Sequence, residues 1–483
     1  MCHFFFKADV SRITSRHFLQ PITSLNHHHL GVLRISFHLL QTSHPSYNHL
    51  HLITVHQLPH SNIKMIMLKL SLQIIAACWI ATSCRGDNNL RRLDTTSSTH
   101  VYMDSMPELK SRSDLINKSP LHKDHVHEVI FVVQQQNMDK LTAILHDVSD
   151  PESPNYGQHM SGEQITSMTM NPIAREFIVF YLHASGAIVT AESLDNEFIT
   201  AKAPIRVWEK VLNTEFFTFQ QEQIDGDIEE HIRAEQYSIP SELYEHVDCV
   251  LNTIEMPIRL TTKPVSYDVS LPAPKKGRFA AQTTYHGYVT PPVIRSYYNL
   301  SDNHGSDSST QAIFGGRFDY LTTNDLAKFQ SLDDIEIDQP AIDINGHIVA
   351  DISDVPAGSD CGEGNLDTQY IIGVSHGSPT TYWSWQVSLA GWLIAVADTV
   401  DPPLVLSISY GGNEKFISPA EFRVFSRMAI KLGVRGITIV VASGDDGAVN
   451  FEARGNLGKC GYFPVFPASN PYVLSVGATS VSL

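Results

Sequence analysis

The sequence has a shortage of positive charge and lacks long apolar runs, and both absences narrow the range of functions. Its 34 Lys and Arg residues are outnumbered by 51 Asp and Glu residues, which gives a formal net charge of -17. A protein with this balance repels phosphate backbones, so we do not expect nucleic acid as a partner. No apolar run reaches the roughly 20 residues that a membrane-spanning helix needs, so we expect no membrane span.

Cysteine is also scarce in the part of the chain that we expect to fold. Three of the 6 cysteines precede residue 85, in segments that we interpret as a leader, which leaves Cys249, Cys361 and Cys460. An odd number in an exported protein predicts one free thiol or a partner outside the sequence. Cys361 has no histidine nearby to form a thiolate, so we do not expect it to be a nucleophile.

The amino terminus has the pattern of an export signal preceded by an unrelated stretch. Residues 1–64 are rich in histidine, contain one acidic residue and show no sustained periodicity, so we interpret them as an over-extended start that does not fold. Residues 65–84 combine a basic start, an apolar core and small residues, which predicts a signal peptide. Glycosylation sequons at Asn117 and Asn299 agree with a secretory route ending outside the cell or in a lysosome or vacuole.

Residues 85–277 show an alternation of strands and helices that predicts an α+β unit of split βαβ, ferredoxin-like character. A flexible linker rich in proline and lysine closes this segment at about residues 262–278, a natural place for proteolytic nicking. The predicted strands lie at 128–135, 187–194, 197–203, 216–221 and 231–239, and the predicted helices at 138–148, 162–168, 172–184 and 205–214.

Residues 278–483 repeat strand and helix in a way that predicts a mostly parallel sheet with helices on both faces. The clearest strand, residues 437–442, is short, apolar and rich in β-branched residues. It is followed at once by Asp445 and Asp446 in a glycine-rich turn. Ligands in open α/β sheets bind at the carboxyl ends of strands, so this turn is a candidate site.

Glu363 and Asp367 are four residues apart and share one face if their segment is helical. Spacing alone favours a solvated acidic turn of helix. If the two side chains are partly buried, the pKa of one carboxyl rises and the pair shares a proton. Such a pair can act as a general base in acid, where histidine, with an ordinary pKa of about 6.5, is protonated.

Six segments together resemble the sedolisins, or serine-carboxyl peptidases, over roughly residues 128–483. Two of them resemble the activation prodomain and the start of the mature enzyme, and four resemble parts of the catalytic domain. They are residues 149–165, 289–300, 363–370, 405–414, 440–448 and 466–479.

The resemblance implies a subtilisin-like fold, incomplete in this sequence, with 85–277 as activation prodomain and 278–483 as the first part of the peptidase domain. It implies that Glu363 is the general base, that Asp367 orients it and that Asp445 lines the oxyanion hole. The nucleophilic serine of the family's G-T-S motif and the ligands of its calcium ion are expected beyond Leu483. We therefore expect neither a nucleophile nor a metal site in this chain, which alone would be inactive.

Three positions depart from the family pattern. Asp446 stands where the family commonly has serine, Asn470 replaces a cysteine found in many relatives, and Gly477-Ala-Thr replaces G-G-T. We interpret the protein as the zymogen of an acid-acting endopeptidase or tripeptidyl peptidase, with a peptide or protein substrate and its own prodomain as inhibitor. The alternative is a non-catalytic protein that acts as inhibitor or folding chaperone of a related peptidase.

Overall fold

A computed structural model describes residues 99–112, 114–222, 228–257, 289–300, 304–332, 342–385, 388–447, 458 and 460–478. The predicted leader, signal peptide and linker lie outside these residues, so those predictions stay open. Within the described residues, no helix is both long and apolar enough to cross a membrane.

Residues 99–257, here called the amino-terminal region, form an α+β unit. Its strands are β1 (His100–Ser105), β2 (Leu115–Pro120), β3 (Val126–Val133), β4 (Ile188–Glu192), β5 (Phe198–Pro204), β6 (Phe216–Glu222), β7 (Ile228–Ala234), β8 (Gln236–Pro240) and β9 (Val247–Leu251). Its helices are α1 (Met138–Ser149), α2 (Gly162–Thr169), α3 (Pro172–Ala184) and α4 (Ile205–Val211).

The main sheet of this region is antiparallel, with strand order β4-β5-β3-β9. The first strand of the βαββαβ series, β3, lies between the third and the last, as a ferredoxin-like split βαβ unit requires. The prediction of this arrangement is confirmed. Strand β3 buries both faces: Phe131 belongs to the core of the amino-terminal region, whereas Val132 packs against the rest of the protein.

The single strand predicted at residues 231–239 is wrong, because the chain changes partner there. Strand β7 pairs with β6, and β8 pairs with β1. The carbonyl of Glu235, between the two strands, accepts a hydrogen bond from the Met106 N–H at 2.7 Å. The alternation of apolar residues continues from β7 into β8, so the sequence pattern did not show that the two strands have different partners.

Residues 289–478, here called the carboxyl-terminal region, hold five helices and ten strands among the described residues. The helices are α5 (Pro291–Tyr297), α6 (Thr323–Leu332), α7 (Gly362–Val374), α8 (Leu389–Ala397) and α9 (Pro419–Val434). The strands are β10 (Gln311–Gly315), β11 (Leu321–Thr322), β12 (Ile342–Ile344), β13 (Ile348–Val349), β14 (Thr380–Ser384), β15 (Val405–Ile408), β16 (Gly412–Asn413), β17 (Thr438–Ala442), β18 (Val465–Phe466) and β19 (Leu474–Val476).

Six of these strands form one parallel sheet in the order β12-β14-β10-β15-β17-β19. Helices cover both faces, because Phe314 packs in the cluster of α8 and α9, whereas Ile313 packs in a cluster that Ile371 of α7 contacts. The predicted parallel α/β architecture is confirmed. One detail differs: β14 was not predicted, because its threonines and aromatic residues form no aliphatic run.

Helix α9 joins the two regions. One of its sides shares a hydrophobic cluster with Phe198 and Cys249 of the amino-terminal sheet. Near its carboxyl end, Ile430 and Val434 share a second cluster with Leu141 of α1. The two regions therefore pack together through continuous apolar cores rather than through a solvated contact.

Candidate active site

Helix α7 begins at a tight turn that the side chain of Asp360 stabilises. The Asp360 carboxylate accepts hydrogen bonds from the backbone N–H groups of Cys361 at 2.7 Å and Gly362 at 3.1 Å. These N–H groups have no partner within the helix, so a side-chain acceptor stabilises this end. The helix brings Glu363 and Asp367 onto one face, one turn apart.

The surroundings of Glu363 and Asp367 are those of a partly buried carboxyl pair. Burial and, after it, the charges of Asp367 and Asp319 together raise the pKa of Glu363 from its ordinary value of 4.5 to about 8. Burial also raises the pKa of Asp367 to about 6, although the Ser409 hydroxyl donates a hydrogen bond to its Oδ1 at 2.9 Å. A solvated acidic turn would show neither shift, so the structure excludes that interpretation of the pair.

The second oxygen of Asp367 leaves room for a further donor. Oδ2 of Asp367 is buried and finds no hydrogen-bond partner among the described residues. Between the two pKa values the pair carries one proton, so one carboxyl can accept a proton while the other holds one. This is the chemistry of a general acid–base pair.

Sequence reasoning missed Asp319, which lies just beyond β10. Its carboxylate is buried and accepts hydrogen bonds from the Gly364 N–H and from the hydroxyls of Tyr382 and Tyr410. Its position after the carboxyl end of a sheet strand is the one signal that would have found it, because ligand-binding groups collect at that edge. Ser409, after β15, was missed and carries the same signal.

Asp445 lies at the same edge of the sheet. It follows β17 in a turn that Gly444, with φ of 98°, and Gly447, with φ of 56°, allow. The Asp445 side chain is exposed, and its charge is among those that raise the pKa of Glu363. The structure therefore brings Glu363, Asp367 and Asp445 into one electrostatic neighbourhood, while their roles stay a prediction.

The other predicted residues lie apart from this site or carry no catalytic feature. Asn117 and Asn299 are exposed, as glycosylation requires. Cys249 and Cys361 are buried and Cys460 is exposed, and all three are free thiols in the described residues. Burial raises the pKa of the Cys361 thiol, which disfavours a thiolate nucleophile.

Metal ligands are not gathered in the described part of the chain. There, no group of three or more His, Cys, Asp or Glu side chains is arranged to hold a metal ion. The calcium ligands implied by the resemblance stay an expectation for residues beyond Leu483, and none of the chemistry below passes through a metal.

Comparison with known proteins found one family that matches the amino-terminal region and relatives that align with most of the chain. Residues 113–256 match the family described as Pro-kumamolisin, activation domain. Tripeptidyl-peptidase 1 of Homo sapiens is 29% identical over 365 residues, which cover 72% of this chain and 61% of that protein, and the Macaca fascicularis protein of that name gives the same values. The chain therefore spans about three fifths of the length of these curated relatives.

A solved structure of Pseudomonas sedolisin, a serine-carboxyl proteinase, is similar over 40% of this chain and 54% of its own. Its sequence identity is 21% and its TM-score is 0.30, values too low to support a conclusion about this chain.

Proposed function

Because the chain belongs to the sedolisin family, we propose that Glu363 and Asp367 form the acid–base part of a peptidase site. The reaction is acyl transfer from a peptide bond to water in acid, through an acyl-enzyme on a serine. The observation that supports this proposal is the raised pKa of both carboxyls, about 8 and about 6, on one face of α7. When the pair holds one proton, the carboxylate that remains can accept the proton of a nucleophile.

Glu363 takes the proton of the serine hydroxyl, and Asp367 orients Glu363 and shares its proton. When Asp445 is protonated, it donates a hydrogen bond to the oxyanion that forms when the serine attacks. The pair must lose one proton before it can act as a base. Activity should therefore rise with pH through the lower titration of the pair, and a serine hydroxyl that donates to Glu363 would lower that value.

We assign the nucleophile to a serine of a Gly-Thr-Ser segment beyond Leu483. We expect the calcium ligands there as well. Ser409 is the described hydroxyl that contacts the pair, but it donates to Asp367 rather than to the proposed base. From this contact we infer that Ser409 helps to orient Asp367.

The amino-terminal region is proposed to hold the peptidase as a zymogen, by intramolecular inhibition. Its match to an activation domain and its shared cores with α9 support this role. The substrate is a peptide or protein, cleaved internally or by release of tripeptides from a free amino terminus. The route is secretory, to the exterior or to a lysosome or vacuole.

The test begins with the transcript beyond Leu483, followed by expression of its complete product. After acidification, this product should hydrolyse a quenched fluorescent peptide, and Glu363→Gln should lower kcat by about 100-fold or more, as loss of a general base does. The exposed Asp307→Asn serves as control, and its rate should equal that of the wild type.

Equal hydrolysis by Glu363→Gln and wild type would contradict the assignment of the base. A stop codon directly after Leu483 in several transcripts, with no hydrolysis by the product, would favour the alternative function. In that case residues 85–277 should inhibit or chaperone a related peptidase.

A further inference from the structure

Asp319 is held by three donors from three different elements. The N–H of Gly364, in the first turn of α7, donates to Oδ1 at 3.0 Å. The hydroxyls of Tyr382, on β14, and Tyr410, after β15, donate to Oδ2 at 2.9 Å and 2.7 Å. His347 approaches only the Asp319 backbone, with its Nδ1 3.0 Å from the carbonyl oxygen. These three hydrogen bonds favour the ionised carboxylate, although burial, the largest influence, leaves the pKa of Asp319 above its ordinary value of 3.8.

Three glycines make this convergence possible. A Cβ at Gly315 would lie 2.7 Å from the Tyr382 ring, and one at Gly316 would lie 3.1 Å from the Tyr410 ring. A Cβ at Gly364 would lie 2.6 Å from the Tyr382 hydroxyl oxygen. Both tyrosines and the start of α7 can therefore approach Asp319 only because these positions lack side chains.

The neighbouring charges that raise the pKa of Glu363 are all negative. Burial makes the largest contribution to its raised pKa, and the charges of Asp367, Asp319, Asp445 and Asp360 follow in that order. Asp367 shares the proton with Glu363, and Asp445 is exposed to solvent. Asp319 is thus the buried carboxylate near Glu363 that has its own fixed set of donors.

We propose that Asp319 is a positioning residue for Glu363: it anchors the first turn of α7 through the Gly364 N–H and keeps a fixed negative charge beside the base. The catalytic meaning of this role rests on the proposed function. The effect of Asp319 on the protonation of Glu363 does not depend on the proposed function. Asp319 itself does not touch the substrate.

The test is an NMR titration of Glu363 in the 483-residue chain. The protein is labelled with glutamate that carries ¹³C at the side-chain carboxyl. The signal is assigned from its loss in Glu363→Gln. In Asp319→Asn, the new amide can still accept from Gly364, but the charge is gone. The midpoint of Glu363 should then fall by about one pH unit, the size of shift that one neighbouring charge produces.

Asp325→Asn is the matched control, because Asp325 lies near the start of α7 and accepts a hydrogen bond from Thr322 rather than from the site. Its Glu363 midpoint should equal that of the wild type. An unchanged midpoint in Asp319→Asn would overturn the proposal.

A second measurement decides the matter if Asp319→Asn does not fold. In the wild-type chain, the ¹³C-labelled carboxyl of Asp319, assigned through the Gly364 amide, should give a carboxylate signal throughout the titration of Glu363. A protonated Asp319 over that pH range would overturn the proposal. Absence of peptide hydrolysis by the complete product would refute the proposed function, and the two titrations would still decide the role of Asp319.

Discussion

At the scale of single residues, Gly364 lies where three groups meet. A Cβ at this position would come within 2.6 Å of the Tyr382 hydroxyl oxygen, 2.7 Å of the Tyr320 carbonyl oxygen and 3.0 Å of the Asp319 carboxylate. The Tyr320 carbonyl cannot move away without shifting the backbone that leads into β11. Gly364→Ala should therefore destabilise the fold by about 1–3 kcal/mol, as overpacking of a filled interior does, and urea denaturation measures the loss.

Gly362→Ala, one position before Glu363, is the control for Gly364→Ala. A Cβ there would meet nothing nearer than the Asp360 carboxylate at 3.6 Å, an ordinary contact. Because alanine is the better helix former, this variant should be as stable as the wild type or slightly more stable. Equal losses in both variants would show that the space around Gly364 is not the constraint described above.

The spacing of Glu363 and Asp367 was predictable from the sequence, but their pKa values were not. Those values depend on burial, on the Ser409 hydroxyl and on the Asp319 charge. Ser409 is 42 positions from Asp367 along the chain, and Tyr410 is 91 positions from Asp319. No local pattern reports such contacts, whereas a helical spacing of four residues is local and could be predicted.

At the scale of elements, α9 inserts two cations into the amino-terminal region. Arg427 pairs with Glu197 and also with Asp248 at 2.9 Å, and Lys431, one turn later, pairs with Glu197 and with Asp195 at 2.6 Å. The Glu197 side chain is fully buried. A buried carboxylate without its cation is costly, so this network makes the contact between the regions specific for α9.

Lys431→Met should therefore destabilise the chain by about 3 kcal/mol in urea denaturation at neutral pH, because Glu197 and Asp195 lose a buried partner. Lys202→Met is the control, since Lys202 and Glu128 form an exposed pair at 3.3 Å. Its effect should stay below about 1 kcal/mol. Similar effects of the two variants would contradict the view of α9 as the specific contact.

The effect of Lys431→Met should also depend on pH. Burial alone would raise the pKa of Asp195, but the Lys431 charge and hydrogen bond hold it below the ordinary value of 3.8. The pair thus stabilises the fold above that value, and the stabilisation is lost as the pH falls through the lower folded-state pKa. The difference between wild type and variant should shrink in strong acid.

At the scale of the whole molecule, the fold class followed from local patterns, but the packing of the two regions did not. Alternating strands and helices predict a parallel sheet, and the predicted helix at 172–184 coincides with α3 (Pro172–Ala184). The sequence pattern of α9 shows an amphipathic helix, but not that it packs against both the sheet of its own region and Phe198 of the other. Partner choice is set by tertiary packing, which periodicity does not encode.

The central claim, that Glu363 and Asp367 act as one proton-sharing pair, is tested most directly by ¹³C titration of both side-chain carboxyls in the wild-type chain. Because burial and like charge raise both pKa values, we expect midpoints near 8 for Glu363 and near 6 for Asp367. Asp367→Asn should move the midpoint of Glu363 downward, since a negative neighbour is removed, whereas Glu363→Gln should leave the midpoint of Asp367 near 6, because Glu363 is protonated at that pH. Independent midpoints near the ordinary values of 4.5 and 3.8 would contradict the account.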